Sequence, residues 1–249
     1  MQHACRLSVV LLLAAFACLG REEVCAAEKG KPLKVCLLSG CAEYKTEESL
    51  PPFQKYLEQN FNVTCTWAVR KANDDLPGLE QLDDCDVAFV YIKRMQLAGE
   101  QLERFKKYAT SGRPIVGVRT ASHAVQTWLD FDRDVLGGNY KGHQPVGPVT
   151  KIELTADAGK HPILSGVEMT TANDSLYKNE GHATDINVLL TGAIPGEPVE
   201  ALAWTRLYKG GRIFYTSLGT PETFQEAGFR RMLANALFWT ASRDVEVRK

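Results

Sequence analysis

The chain has 249 residues, 29 basic and 30 acidic side chains, and a net charge of −1. This near balance leaves no electrostatic footprint for nucleic acid or an anionic membrane, and no apolar run reaches the roughly 20 residues that span a bilayer. Once an N-terminal leader is set aside, about 220 residues remain, enough for one good-sized core.

The leader is read over residues 1–27. Arg6 supplies the positive start, residues 7–19 the apolar centre, and Cys25-Ala26-Ala27 the small residues that suit signal peptidase. Export to a periplasm or the exterior is therefore expected, with residues 28–249 as one domain. Ala15-Phe16-Ala17-Cys18 is a poor lipobox, so lipid anchoring is the second reading. The mature chain keeps Cys36, Cys41, Cys65 and Cys85, which leaves three pairings open. Cys41 and Cys85 are expected at opposite edges of a parallel sheet, while Cys36 and Cys65 read as small hydrophobes inside strands. No CxxC or Cys/His spacing points to structural zinc.

Residues 33–38 form an apolar run ending at Ser39-Gly40, followed by helical spacing of Phe53, Tyr56, Leu57 and Phe61 over 52–61. A second strand is expected at 63–69, a short helix around Leu79 and Leu82, and a strand buried on both faces at 87–92. A helix over 99–110 stops at Gly112, and 114–118 is the next buried strand. Such alternation predicts an α/β fold with a doubly wound, mostly parallel sheet flanked by helices, with ligands at the carboxyl ends of its strands. Later strands at 150–154, 188–190, 201–204 and 212–216 read as partly antiparallel, and an amphipathic helix over 221–240 closes the chain.

Chemistry is expected at the turn after the 114–118 strand. Arg119-Thr-Ala-Ser-His123 leads from a buried strand toward a helix-like stretch at 124–128. This layout projects side chains above a sheet and aims backbone N–H groups at a ligand. Arg119, Thr120 and Ser122 are candidate substrate contacts and His123 a candidate catalytic residue. Ser122 equally suits a helix cap, and His123 a packed histidine. Gly137-Gly-Asn-Tyr-Lys-Gly-His143 adds Tyr140 as a contact and His143 as a proton carrier. It lacks GxGxxG spacing and the Walker Lys-Ser/Thr pair, so no nucleotide cofactor is called for. Tyr177-Lys-Asn-Glu180 contributes Tyr177 as a contact and Glu180 as a general acid or base, while Gly219-Thr-Pro-Glu222 contributes Thr220. Asn62-Val-Thr64 and Asn173-Asp-Ser175 match the glycosylation acceptor pattern.

Taken together, Gly117-Val-Arg-Thr-Ala-Ser-His-Ala124, Gly137-Gly-Asn-Tyr-Lys-Gly-His143, His161-Pro-Ile-Leu-Ser-Gly-Val167, Leu176-Tyr-Lys178, Gly211-Arg-Ile-Phe-Tyr-Thr-Ser-Leu-Gly219 and Asn235-Ala-Leu-Phe-Trp239 resemble the ThuA-like, or trehalose-utilisation, family. Its fold is similar to that of class I glutamine amidotransferases and of flavodoxin-like proteins. The resemblance implies a sugar-utilisation setting without fixing the reaction. In the amidotransferases the elbow carries a cysteine and the late loop a His-Pro-Glu base. Here Arg119 and Thr220 stand at those places, so glutaminase chemistry lacks both nucleophile and base. Thr220 also departs from the histidine that many ThuA-like proteins carry after this Leu-Gly pair.

Three readings follow. The first is an enzyme, a hydrolase, isomerase or lyase, acting on a small carbohydrate or keto-sugar. Arg119 and Tyr140 would orient the substrate while His123, His143 and Glu180 exchange protons. The second is a non-catalytic sugar-binding or interaction domain that kept the pocket without the nucleophile. The third is a metal-assisted hydrolase in which His123, His143 and Glu180 converge as ligands. Homo-oligomer formation is left open.

Overall fold

The computed structural model describes residues 30–156 and 158–248; the leader read over 1–27 lies outside them. Parallel βαβ units build the first half. Strand β1 (Leu33–Gly40) leads through helix α1 (Thr46–Asn60) to β2 (Val63–Val69), and β3 (Val87–Ile92) through α2 (Gly99–Thr110) to β4 (Ile115–Val118). The second half adds β5 (Tyr140–His143), β6 (Thr150–Leu154), β7 (Thr171–Ala172), β8 (Tyr177–Asn179), β9 (Asn187–Ala193), β10 (Glu200–Tyr208), β11 (Gly211–Thr216) and helix α3 (Ala227–Thr240).

Nine strands form one sheet in the order β2-β1-β3-β4-β11-β10-β9-β6-β7. From β2 to β11 every neighbour is parallel. From β11 to β7 every neighbour is antiparallel. The antiparallel share expected of the C-terminal half thus occupies half the sheet, and the sheet as a whole is mixed. The β10–β11 hairpin turns on Lys209 and Gly210, with φ of 49° and 84°, the left-handed pair that matches strand twist.

Side chains alternate across the parallel strands and feed two cores. Val35, Leu37, Phe89, Tyr91, Val116 and Phe214 meet α1 and α3 on one face. Cys36, Leu38, Ala88, Val90, Ile115 and Tyr215 meet Phe105 and Tyr108 of α2 on the other. Burial of both faces is why these strands read as continuous apolar runs. All four described cysteines are free thiols, and no helix among the described residues is long and apolar enough to cross a membrane.

Three expected boundaries move, each for a local reason. Helix α1 begins at Thr46 rather than near Pro52, because the Cys41 N–H donates to Thr46 Oγ1 at 3.0 Å and Lys45 O accepts the N–H groups of Glu48 and Ser49. Pro51 and Pro52 then sit inside the helix. The carbonyls they leave without helical donors belong to Glu47 and Glu48, both exposed residues. No helix follows the elbow at 124–128: Met95 bridges Val125, with Met95 N donating to Ala124 O and Gln126 N to Met95 O, both at 2.8 Å. The last helix starts at Ala227, not Pro221, since Thr223–Gln225 forms a separate 3-10 turn and Glu226 is extended.

Candidate functional site

Strand β4 ends in a tight 3-10 turn, Arg119–His123. Gly117 lets it close, since a β-carbon there would lie 3.2 Å from both Ala121 Cβ and Tyr215 Cδ2. Arg119 opens the turn at φ 46°, a left-handed conformation that costs an L-residue about 1–2 kcal/mol and needs tertiary support. Tyr215 Oη supplies some of it, donating to Arg119 O at 2.8 Å.

The Arg119 guanidinium points into the protein and is 1% exposed. Nη1 donates to Asp174 Oδ1 at 3.1 Å and Ser217 O at 2.6 Å; Nη2 donates to Tyr44 Oη at 3.1 Å and Ser175 Oγ at 3.0 Å. The rings of Tyr44 and Tyr177 lie 4.4 and 4.7 Å from its central carbon, close enough for cation–π attraction. Asp174, also 1% exposed, is the hub. Its Oδ1 additionally accepts the N–H groups of Gly219 at 2.7 Å and Thr220 at 2.9 Å, and its Oδ2 accepts the Thr223 hydroxyl. This network ties the elbow to the late loop. Thr220 therefore serves Asp174, and Thr120, fully buried, donates to Ile92 O at 2.9 Å.

Above the turn lies an open cavity of about 460 Å³, lined by Arg94, Ser122, His123, Leu129, Asp130, Asp132, Arg133, Asn139, Tyr140, Lys141 and Gly142. Its volume falls in the range of small-molecule sites, roughly 300–1,000 Å³. The ring of His123 stacks on Tyr140 at 4.5 Å with an interplanar angle of 21°, and Tyr177 closes against Tyr140 at 4.6 Å. His123 Nδ1 pairs with Ser122 Oγ at 3.0 Å. Burial pushes the His123 pKa down to about 3, and Arg94, Lys93 and Arg119 push the same way, so the ring is neutral at physiological pH.

Asp132 is a cavity residue that the sequence did not single out. A wide turn at Phe131–Leu136 carries it, and the side chain is 4% exposed. Oδ2 accepts the Tyr140 N–H at 2.8 Å, while Oδ1 is buried without a partner. Burial raises the Asp132 pKa to about 7, against the downward pull of the Tyr140 N–H and the Lys141 charge. The signal was there but ambiguous: Asp130-Phe-Asp-Arg-Asp134 reads as a solvated acidic run. Asp174 was hidden in the middle of a glycosylation pattern.

The glycine-rich segment and residues 177–179 pair as a small antiparallel sheet, with Tyr140 opposite Asn179 and His143 opposite Tyr177. Tyr140 thereby reaches the cavity. His143 is exposed and turns its Nδ1 to Gln144 O at 2.8 Å, and Glu180 is likewise exposed; neither lines the cavity. The convergence of His123, His143 and Glu180 that the third, metal-assisted reading requires does not occur: no three His, Cys, Asp or Glu side chains among the described residues are placed to hold an ion.

The sequence model of the ThuA family, described as trehalose utilisation, matches residues 34–240. Among solved structures, a ThuA-like protein from Parabacteroides merdae superposes with a TM-score of 0.65 at 18% identity, covering 88% of this chain and 98% of the other. A ThuA-like protein from Bacteroides uniformis gives 0.66 at 20%, covering 86% and 94%. A β-galactosidase from Rahnella sp. R3 gives 0.55 at 13%, covering 82% of this chain and 31% of that longer one. These likenesses establish a shared fold. No curated protein matches the sequence.

Proposed function

Because the chain belongs to the ThuA, or trehalose utilisation, family, we propose that it is an exported protein acting on a small carbohydrate or keto-sugar in the cavity above the β4 turn. The observation that carries this reading is Asp132, a cavity-lining residue whose buried carboxyl keeps one oxygen without a partner. An orphaned buried acceptor costs about 1–3 kcal/mol, and a hydroxyl donor on the ligand would satisfy it. With a pKa of about 7, the carboxyl suits proton exchange at neutral pH.

In this reading Asp132 takes over the acid–base role that the sequence suggested for His143 and Glu180. His123, neutral throughout the working range, hydrogen-bonds the substrate rather than carrying its charge. Ser122 and Tyr140 complete the polar wall. Arg119 and Thr220, joined through Asp174, act beneath the ligand as positioning residues, together with Tyr177, whose ring lies against the Arg119 guanidinium. Glutaminase chemistry finds no support, since the guanidinium at the nucleophile's address is committed inward.

The test is to incubate the purified chain with neutral mono- and disaccharides and their keto derivatives and to follow the sugars by proton NMR. The expected result is a changed spectrum with one class of sugar and at least about a hundredfold slower change with Asp132→Asn. A ligand-induced rise in melting temperature with every spectrum unchanged would establish the second reading, a sugar-binding domain, favoured by the absent nucleophile. The mass of the mature protein from its host tests cleavage after residue 27.

A further inference from the structure

Charge is unevenly compensated around the cavity. Of its lining ions, Arg133 pairs with Asp130 at 2.9 Å and with the neighbouring Asp134 at 2.8 Å. Arg94 and Lys141 make no ion pair with any described residue. Arg94 gives one N–H to the neutral Gln126 Oε1 at 3.0 Å, and both side chains are exposed.

The backbone that carries each cation is held by the architecture. Arg94 adopts φ 47°, its N–H donating to His123 O at 2.8 Å, and the Met95–Val125 bridge locks the next residues to the segment that leaves the elbow. Lys141 follows Tyr140 on β5, whose Tyr140 ring stacks on His123. The two positive side chains thus border the cavity from separate elements, the loop after β3 and the small sheet. Asp132 lines the same cavity and keeps its unpartnered Oδ1. A neutral sugar would form an ion pair with neither cation; Lys141 feels Asp132 through space without pairing with it.

We propose that the ligand is a sugar acid, of uronate or aldonate type, whose carboxylate is bound by Arg94 and Lys141 while a hydroxyl donates to Asp132. This rests on the carbohydrate reading above. Arg offers a planar fork and Lys a mobile point charge, a pair that can grip a carboxylate without dictating the ring to which it is attached.

Isothermal titration of the full chain at low salt tests it, with glucose and galactose as neutral probes, glucuronate, galacturonate and gluconate as acidic ones, and acetate as the bare anion. At least one acid should bind roughly tenfold or more tightly than its neutral counterpart, and added salt should erode that preference. Arg94→Gln/Lys141→Gln should abolish the preference, while the charge-matched surface control Lys55→Gln/Lys107→Gln keeps it; melting curves confirm that both fold. Equal affinity for sugar and acid, or a preference that survives in Arg94→Gln/Lys141→Gln, overturns the inference and leaves the carbohydrate reading standing. Acetate binding as tightly as the acids, with no sugar bound, overturns the carbohydrate reading instead. Failure of every probe to bind overturns the inference, and the same failure with the disaccharides and keto-sugars overturns the carbohydrate reading with it.

Discussion

Replacing Asp132 by Asn should stabilise the protein above neutrality while disabling the site. A carboxyl held at about 7 in the folded chain, against 3.8 ordinarily, binds a proton that the unfolded chain releases between those values. The stability it contributes is full below pH 3.8 and is lost as pH rises through 7. At 1.36 kcal/mol per pH unit, the ionised carboxylate then costs about 4 kcal/mol. Asn can still accept the Tyr140 N–H and carries no charge, so Asp132→Asn should exceed the wild type by up to about 4 kcal/mol at pH 8 and match it near pH 4. His123 titrates with the opposite sign: held at about 3 against 6.5, it adds stability above pH 6.5 that is lost as pH falls toward 3. The two slopes oppose each other between about pH 4 and 6.5. Wild-type stability should be nearly flat there, whereas Asp132→Asn should gain stability throughout that interval. Urea denaturation of both proteins at half-unit pH steps measures the difference directly. A gap that does not widen from pH 4 to 8 would show that Asp132 is an ordinary ionised carboxylate and refute the acid–base assignment.

Asp174→Ala should cost about 3–5 kcal/mol in chemical denaturation, because it strands the Arg119 cation; adding Arg119→Met should recover part of that loss, and strict additivity of the two changes would contradict the hub. Gly138→Ala would place a β-carbon 2.5 Å from Asp132 Oδ1. It should displace the carboxyl, cost about 1–3 kcal/mol of stability and weaken ligand binding, as titration calorimetry would register. Tyr140→Leu removes the ring stacked on His123, so the His123 pKa should climb from about 3 toward 6.5, visible as a shifted NMR titration of its ring protons.

The parallel half of the fold could be read from the chain because strands β1 to β4 bury both faces and announce themselves as apolar runs between amphipathic helices. The small sheet could not. Tyr140 pairs with Asn179 and His143 with Tyr177 across unrelated stretches, and a four-residue strand containing Lys141, Gly142 and His143 has no period to detect. The elbow was legible as a place, since a buried strand ran straight into polar residues, but its occupants divide. Ser122 and His123 line the cavity, whereas Arg119 and Thr120 turn inward. Direction depended on φ at Arg119 and on a carboxylate 55 positions away at Asp174. Asp132 looked like one acid among several because its burial comes from contacts made by the whole turn.

The Arg119 network also has a bearing on the order in which the chain folds. Strands β1 to β4 pair across at most about 52 positions, as Val35 does with Val87, but Arg119 meets Ser217 across 98. Closing loops of that size sacrifices chain entropy before any contact rewards it. The elbow therefore acquires its geometry only when β11 docks beside β4 and the late loop reaches Asp174. A nascent chain that stops short of Ser217 can hold a folded parallel block yet no competent cavity, which makes ligand binding a reporter of the last event in folding.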